Sequence, residues 1–94
     1  MAKSLESVNL NGPQGTSIEV KVGDQVAFID PQTIPEAKKK RTQELMIKST
    51  EKKLGSPPYK VAEINHYPSE STMMTIEGSE KATEEINIVY LAKA

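Results

Sequence analysis

The chain has 94 residues, a formal net charge of −1, 36% apolar and 27% charged residues, and no Cys. That length fits a single domain, residues 1–94, burying roughly 60–65% of its unfolded surface: enough for one thin core, too little for a deep enclosed cavity. The missing cysteine excludes disulfides and thiolate chemistry, and the near-zero charge excludes a strong whole-molecule field toward nucleic acid or anionic membrane.

With three Tyr, one Phe and no Trp, the core must rest on Val, Ile, Leu and Met. No stretch approaches the ~20 apolar residues that span a bilayer, so no membrane partner is expected. The start, Met1-Ala2-Lys3-Ser4, has no apolar segment behind it and predicts no signal peptide. A small domain without cysteine suits the cytoplasm.

Ser4 to Leu10 carries Leu5, Val8 and Leu10 and predicts a short edge strand. Asn11-Gly12-Pro13-Gln14-Gly15 is a turn, since Gly supplies positive φ and Pro stops pairing. From Thr16 to Val22 the chain alternates, with Ile18, Val20 and Val22 one way and Ser17, Glu19 and Lys21 the other, a half-buried strand. Gly23-Asp24 turns the chain. Val26-Ala27-Phe28-Ile29 is apolar on both faces, which places it inside a sheet, and Asp30-Pro31 ends it.

Residues 31–58 admit two readings. Pro35 at the start, Gly55 at the end and good helix formers between them favour a basic helix or loop at the surface. Ala37, Leu45, Met46, Ile47 and Leu54 form no clear helical stripe, and a strand over Glu44–Thr50, with Leu45 and Ile47 inward, is the alternative. Tyr59 to Tyr67 is a strand bounded by Pro58 and Pro68. Thr72 to Glu77 is another, with Met74 and Ile76 on one face and Met73 on the other. Glu80 to Glu85 is polar and reads as one short helical turn, and Ile86 to Ala92 closes the chain as a strand.

Five strands at short spacing make the fold all-β or β-rich, a small barrel with a basic helical or loop insertion at about 31–58. The order Val20-Lys21-Val22-Gly23-Asp24-Gln25-Val26, then Pro58-Tyr59-Lys60-Val61-Ala62-Glu63-Ile64, a strand, and Val89-Tyr90-Leu91 resembles SH3-like small barrels. The resemblance implies a Gly-Asp turn opening a barrel, a central hairpin, and a short polar turn before the last strand. It covers about residues 16–30 and 57–92; the roughly 26 residues between the first two motifs depart from the compact pattern. The Ile18–Phe28 segment also looks like the opening of a cupredoxin, but no Cys and a single His exclude a blue-copper site.

Chemistry-bearing residues are sparse. His66 is the only His, and a nucleophilic triad would pair it with Ser69 or Ser71 and with Asp24 or Asp30. Glu63 and Glu70 give it no recognisable metal spacing. The carboxylates at Glu77, Glu80, Glu84 and Glu85 sit in polar segments that would not separate two pKa values. Phosphate-binding glycine loops are absent. No catalytic residue, cofactor or metal is therefore assigned, and the chain is not expected to be an enzyme.

Charge is unevenly spread. Glu36 to Lys53 holds seven basic residues against three acidic, and Val61 to Tyr90 holds six acidic against one basic. Lys38, Lys39, Lys40 and Arg41 run consecutively; they read either as a solvated surface or as a phosphate-contacting cluster. Tyr59 and Tyr67, with Met73 and Met74, are the candidate apolar contacts, or else ordinary core. The expected function is a small non-enzymatic binding module, a protein-interaction or accessory subunit using Lys38–Arg41, Tyr59 and Tyr67. Nucleic-acid binding through Lys38–Arg41 is the alternative.

Overall fold

Short alternating segments fold into a β-rich structure with one long helix; the computed structural model describes residues 2–11 and 16–94. The strands are β1 (Lys3–Leu5), β2 (Ser7–Asn11), β3 (Ser17–Lys21), β4 (Gln25–Phe28), β5 (Tyr59–His66), β6 (Thr72–Glu77), β7 (Thr83–Asn87) and β8 (Leu91–Lys93). Helix α1 spans Ala37–Leu54, and short 3₁₀ turns occupy Pro31–Thr33 and Ile88–Tyr90. Among the described residues, no helix is long and apolar enough to cross a membrane.

Strand order is β3-β2-β8-β4-β5-β6-β7, with β1 pairing separately with β5. Because β1 runs almost directly into β2, the N-terminal segment reaches β5 with one half and β3 and β8 with the other, and the sheet must curl. It does not close: β3 and β7 each have one neighbouring strand among the described residues. The expected five strands are thus eight, in an open, curled sheet. The segment Ser4–Leu10 is not an edge, since β2 lies between β3 and β8. The turn expected from Gly12 to Gly15 lies outside the described residues.

The core consists of Leu10, Val20, Val26, Leu54, Tyr59, Val61, Ile64, Met74, Ile76, Ile86 and Leu91. Alternation puts Met74 and Ile76 on the inner face of β6, as expected, and β4 lies between β8 and β5 inside the sheet. In β5 the pairing with β6 slips between Val61 and Glu63. This bulge resets the alternation, so Val61 and Ile64 both point inward and Glu63 stays outside.

Two elements differ from the expectation at the C-terminal end. Glu80–Glu85 is not a helical turn: Gly78 N–H donates to Ala82 and Lys81 N–H to Gly78, a tight turn from which β7 starts at Thr83. Ile86–Ala92 is not one strand either. The Asn87 side chain accepts the Val89 N–H at 3.0 Å and starts a 3₁₀ turn, which carries the chain from the β7 edge to the centre of the sheet as β8.

Residues 37–54 are helical, not strand, with Gly55 at φ 85 ending the helix. Its buried residues are Gln43, Thr50 and Leu54, with Met46 partly buried against the core. Polar side chains occupy two of those inward positions, which is why no apolar stripe shows. Gln43 Nε2 donates to the carbonyls of Ile29 (2.9 Å) and Tyr90 (3.0 Å), tying the helix to the end of β4 and to the 3₁₀ turn before β8. At the other end, a Cβ on Gly78 would lie 2.8 Å from Leu54 Cβ, so the β6–β7 turn needs glycine to meet the helix.

Two substitutions check this seating by urea denaturation. Gln43→Leu keeps the volume but removes the Gln43 donor from the Ile29 carbonyl and leaves Tyr90 with the Ile29 N–H alone, and is expected to cost about 2 kcal/mol. Gly78→Ala forces the turn off the helix and is expected to cost about 1–3 kcal/mol through overpacking.

Candidate functional site

Lys38, Lys39, Lys40 and Arg41 form the first turn of α1. Successive helical residues step about 100° around the axis, so four in a row encircle the helix and share no face. Lys38 and Lys39 border an open cleft of about 650 Å³ lined by Ile29, Ile34, Val89 and Tyr90. Arg41 borders a different, shallow groove with Leu45 and Lys48. Lys39 pairs with Glu36 at 3.6 Å. The helix N-terminus carries no acidic residue in its first turn, and the cations there face the positive end of its dipole.

The two tyrosines do not form one surface. Tyr59 is fully buried, its hydroxyl donates to the Gly55 carbonyl at 2.7 Å, and its ring meets Phe28 edge-on with centroids 6.2 Å apart. It is a core residue and offers nothing to a partner. Tyr67 follows the far end of β5, about 26 Å of strand away. Its hydroxyl donates to Glu85 Oε2 at 2.6 Å. Met74 is buried and Met73 half-buried.

No triad assembles around His66. Its Nδ1 lies 2.9 Å from Thr72 Oγ1 and its Nε2 3.5 Å from Glu70 Oε2. Asp24 accepts the Lys21 N–H and pairs with Lys93, while Asp30 caps the first 3₁₀ turn. The Lys21 hydrogen bond and then Lys93 hold the Asp24 carboxyl below its ordinary range.

The sheet's two edges differ. Val22 N–H bonds to Glu6 across the β2–β3 pair, so alternation turns the backbone groups of Lys21, Glu19 and Ser17 outward. At Lys21 those outward groups are taken: the N–H goes to Asp24 Oδ2 at 2.9 Å and the C=O accepts from Asp24 N–H at 3.0 Å. The β3 edge is therefore closed at that end. At β7, the Gly78–Ala82 bond fixes the phase, and the N–H groups of Thr83, Glu85 and Asn87 point away from β6. Among the described residues no strand pairs there.

A groove of about 480 Å³ runs between that edge and α1. Thr42, Leu45, Met46, Ser49 and Thr50 line the helix side, and Glu84, Glu85, Ile86 and Asn87 the strand side. Leu45 is 60% exposed, large for a leucine beside a groove. Thr50 Oγ1 and Glu84 Oε2 are buried without a hydrogen-bond partner, while Glu84 Oε1 lies 3.6 Å from Lys53 Nζ. Of the candidate contacts read from the sequence, Met73 lines this groove; Lys38–Arg41, Tyr59 and Tyr67 do not. The signal for it was the alternation of Thr83, Glu85 and Asn87 against Glu84 and Ile86, masked by a glutamate in an inward position.

The Tyr67–Glu85 bond has a pH signature. Glu85 first, then burial, raises the phenol above its ordinary value. Since the folded form holds its proton longer than the unfolded chain, this contribution to stability is intact below the ordinary phenol pKa. It is lost as pH rises through the higher folded value. Ultraviolet titration should show the Tyr67 phenol ionising at lower pH in Glu85→Gln than in the wild type, with Tyr67→Phe removing that transition.

Compared with protein-family models, curated proteins and solved structures, the chain matches none, so its own geometry is what bears on its function.

Proposed function

We propose that this chain is a non-enzymatic protein-interaction module, an accessory or regulatory subunit that takes its partner at the β7 edge. The observation that carries this reading is the open row of N–H groups at Thr83, Glu85 and Asn87 beside the groove against α1. An exposed edge with a groove next to it suits an extended segment, which gains main-chain hydrogen bonds from the edge and side-chain contacts from the groove. The absence of cysteine supports a cytoplasmic setting for that work.

An SH3-like reading of the fold accompanies this proposal. The Gly23-Asp24 turn, the β4–β5 pairing and the short 3₁₀ turn before β8 support it; the long helix and the two open edges count against it. Nucleic-acid binding through Lys38–Arg41 has less support, because the run winds around the helix instead of presenting one cationic face.

Asn87 allows a paired test. Its φ of −65 already suits proline, and proline there deletes the outward N–H. Asn87→Pro and Asn87→Ala both lose the side-chain bond to Val89, so they differ in the edge donor. Affinity capture followed by mass spectrometry should recover the same interaction partners with wild type and Asn87→Ala, and lose them with Asn87→Pro. Equal recovery by all three proteins would count against the edge.

A further inference from the structure

We infer that the β7 edge and its groove are built for a basic, extended segment of another protein, which adds to the sheet as a strand. This rests on the sheet-edge reading above and names the chemistry of the partner. The strand offers main-chain donors at Thr83, Glu85 and Asn87. The groove beside it offers Leu45 and Met46 as apolar contacts. Its polar lining is unsatisfied: Thr50 is 1% exposed, and its hydroxyl finds no partner, not even the carbonyl one helical turn back that a threonine in a helix ordinarily uses. Glu84 likewise keeps one buried carboxylate oxygen unbonded. A buried carboxylate oxygen without a donor is costly, and a charged donor from outside is the complement it lacks.

Charge selects the sign of that donor. Glu84 and Glu85 both line the groove, and the single cation bonded there, Lys53, reaches only the first oxygen of Glu84. An incoming lysine or arginine therefore meets a carboxylate with one oxygen still unbonded at the groove wall, whereas an incoming carboxylate meets like charge. The same argument disfavours a second copy of this chain. Two β7 strands pairing antiparallel about their centres would set Glu85 against Glu85, or, one step along, Glu84 against Glu84. A strand with a basic and an apolar residue two positions apart fits better, since both then face the groove, the apolar one against Leu45 and Met46 and the basic one at Glu84.

The probe is a short synthetic peptide repeating Lys-Ser-Val-Ser, in which Lys and Val share one face, with a counterpart in which Glu replaces Lys, each titrated into the labelled protein by NMR with amide exchange. The Lys peptide should shift and protect the Glu85 and Asn87 amides, and the Glu peptide should not. Glu84→Gln should weaken the Lys peptide about tenfold. Asn87→Pro should weaken it by a similar factor relative to Asn87→Ala, with folding of each variant checked by its spectrum. Equal binding of both peptides, or self-association that protects β7 without peptide, would overturn the basic partner and leave the sheet edge as a docking site. If neither peptide protects β7 at millimolar concentration, both readings fall.

Discussion

The Gln43 side-chain amide holds the molecule's two layers in register. One nitrogen donates to the carbonyls of Ile29 and Tyr90, residues 61 apart in sequence that are themselves joined by the Ile29 N–H to the Tyr90 carbonyl. A leucine in that position would supply packing but no direction. The amide supplies direction, because its donors must meet two carbonyls at once. Further along, the same helix brings Leu54 against Gly78 and forms one wall of the groove beside β7.

Seating a helix by polar contacts has a structural consequence in its middle. At the N-terminal end α1 is held by Gln43, and at the C-terminal end by Leu54 against the β6–β7 turn and by Lys53 on Glu84. Between these anchors the helix is not pressed onto the sheet by a continuous apolar face. Leu45 stays exposed, Met46 only partly covered, and Thr50 is enclosed without a hydrogen bond. A helix with an unbroken apolar stripe would bury itself along its length and close the space beside β7. Here the stripe is interrupted, and the space persists.

The same interruption decides what could be read from the sequence. Strand Ser17–Lys21 was legible because its inner positions, Ile18 and Val20, are apolar between polar neighbours, and Thr72–Glu77 because Met74 and Ile76 share one face. Helix α1 was legible by its Pro35 and Gly55 punctuation and not by its periodicity, since Gln43 and Thr50 stand where apolar residues are looked for. Strand β7 was hidden for the same reason, with Glu84 on the face that Ile86 buries. Asn87 then broke the last apolar run into a strand, a 3₁₀ turn and a second strand, through a side chain whose preference for turns is local and whose effect is a change of neighbours. The groove is made of these misleading residues, so a search for large apolar or cationic signals pointed to Tyr59, a core residue, and to Lys38–Arg41, a run without a common face.

Asp24 gives the sheet a handedness of use. By occupying the outward N–H and C=O of Lys21, and by holding Lys93 beside them, it shuts one end of the β3 edge. The opposite edge, β7, keeps its donors. A sheet that accepts strands at both sides can grow without limit, each addition presenting a fresh edge to the next. A sheet that accepts at one side is a terminus. Capping at Lys21 moves this sheet toward the second case, leaving Glu19 and Ser17 as the outward residues of its β3 side.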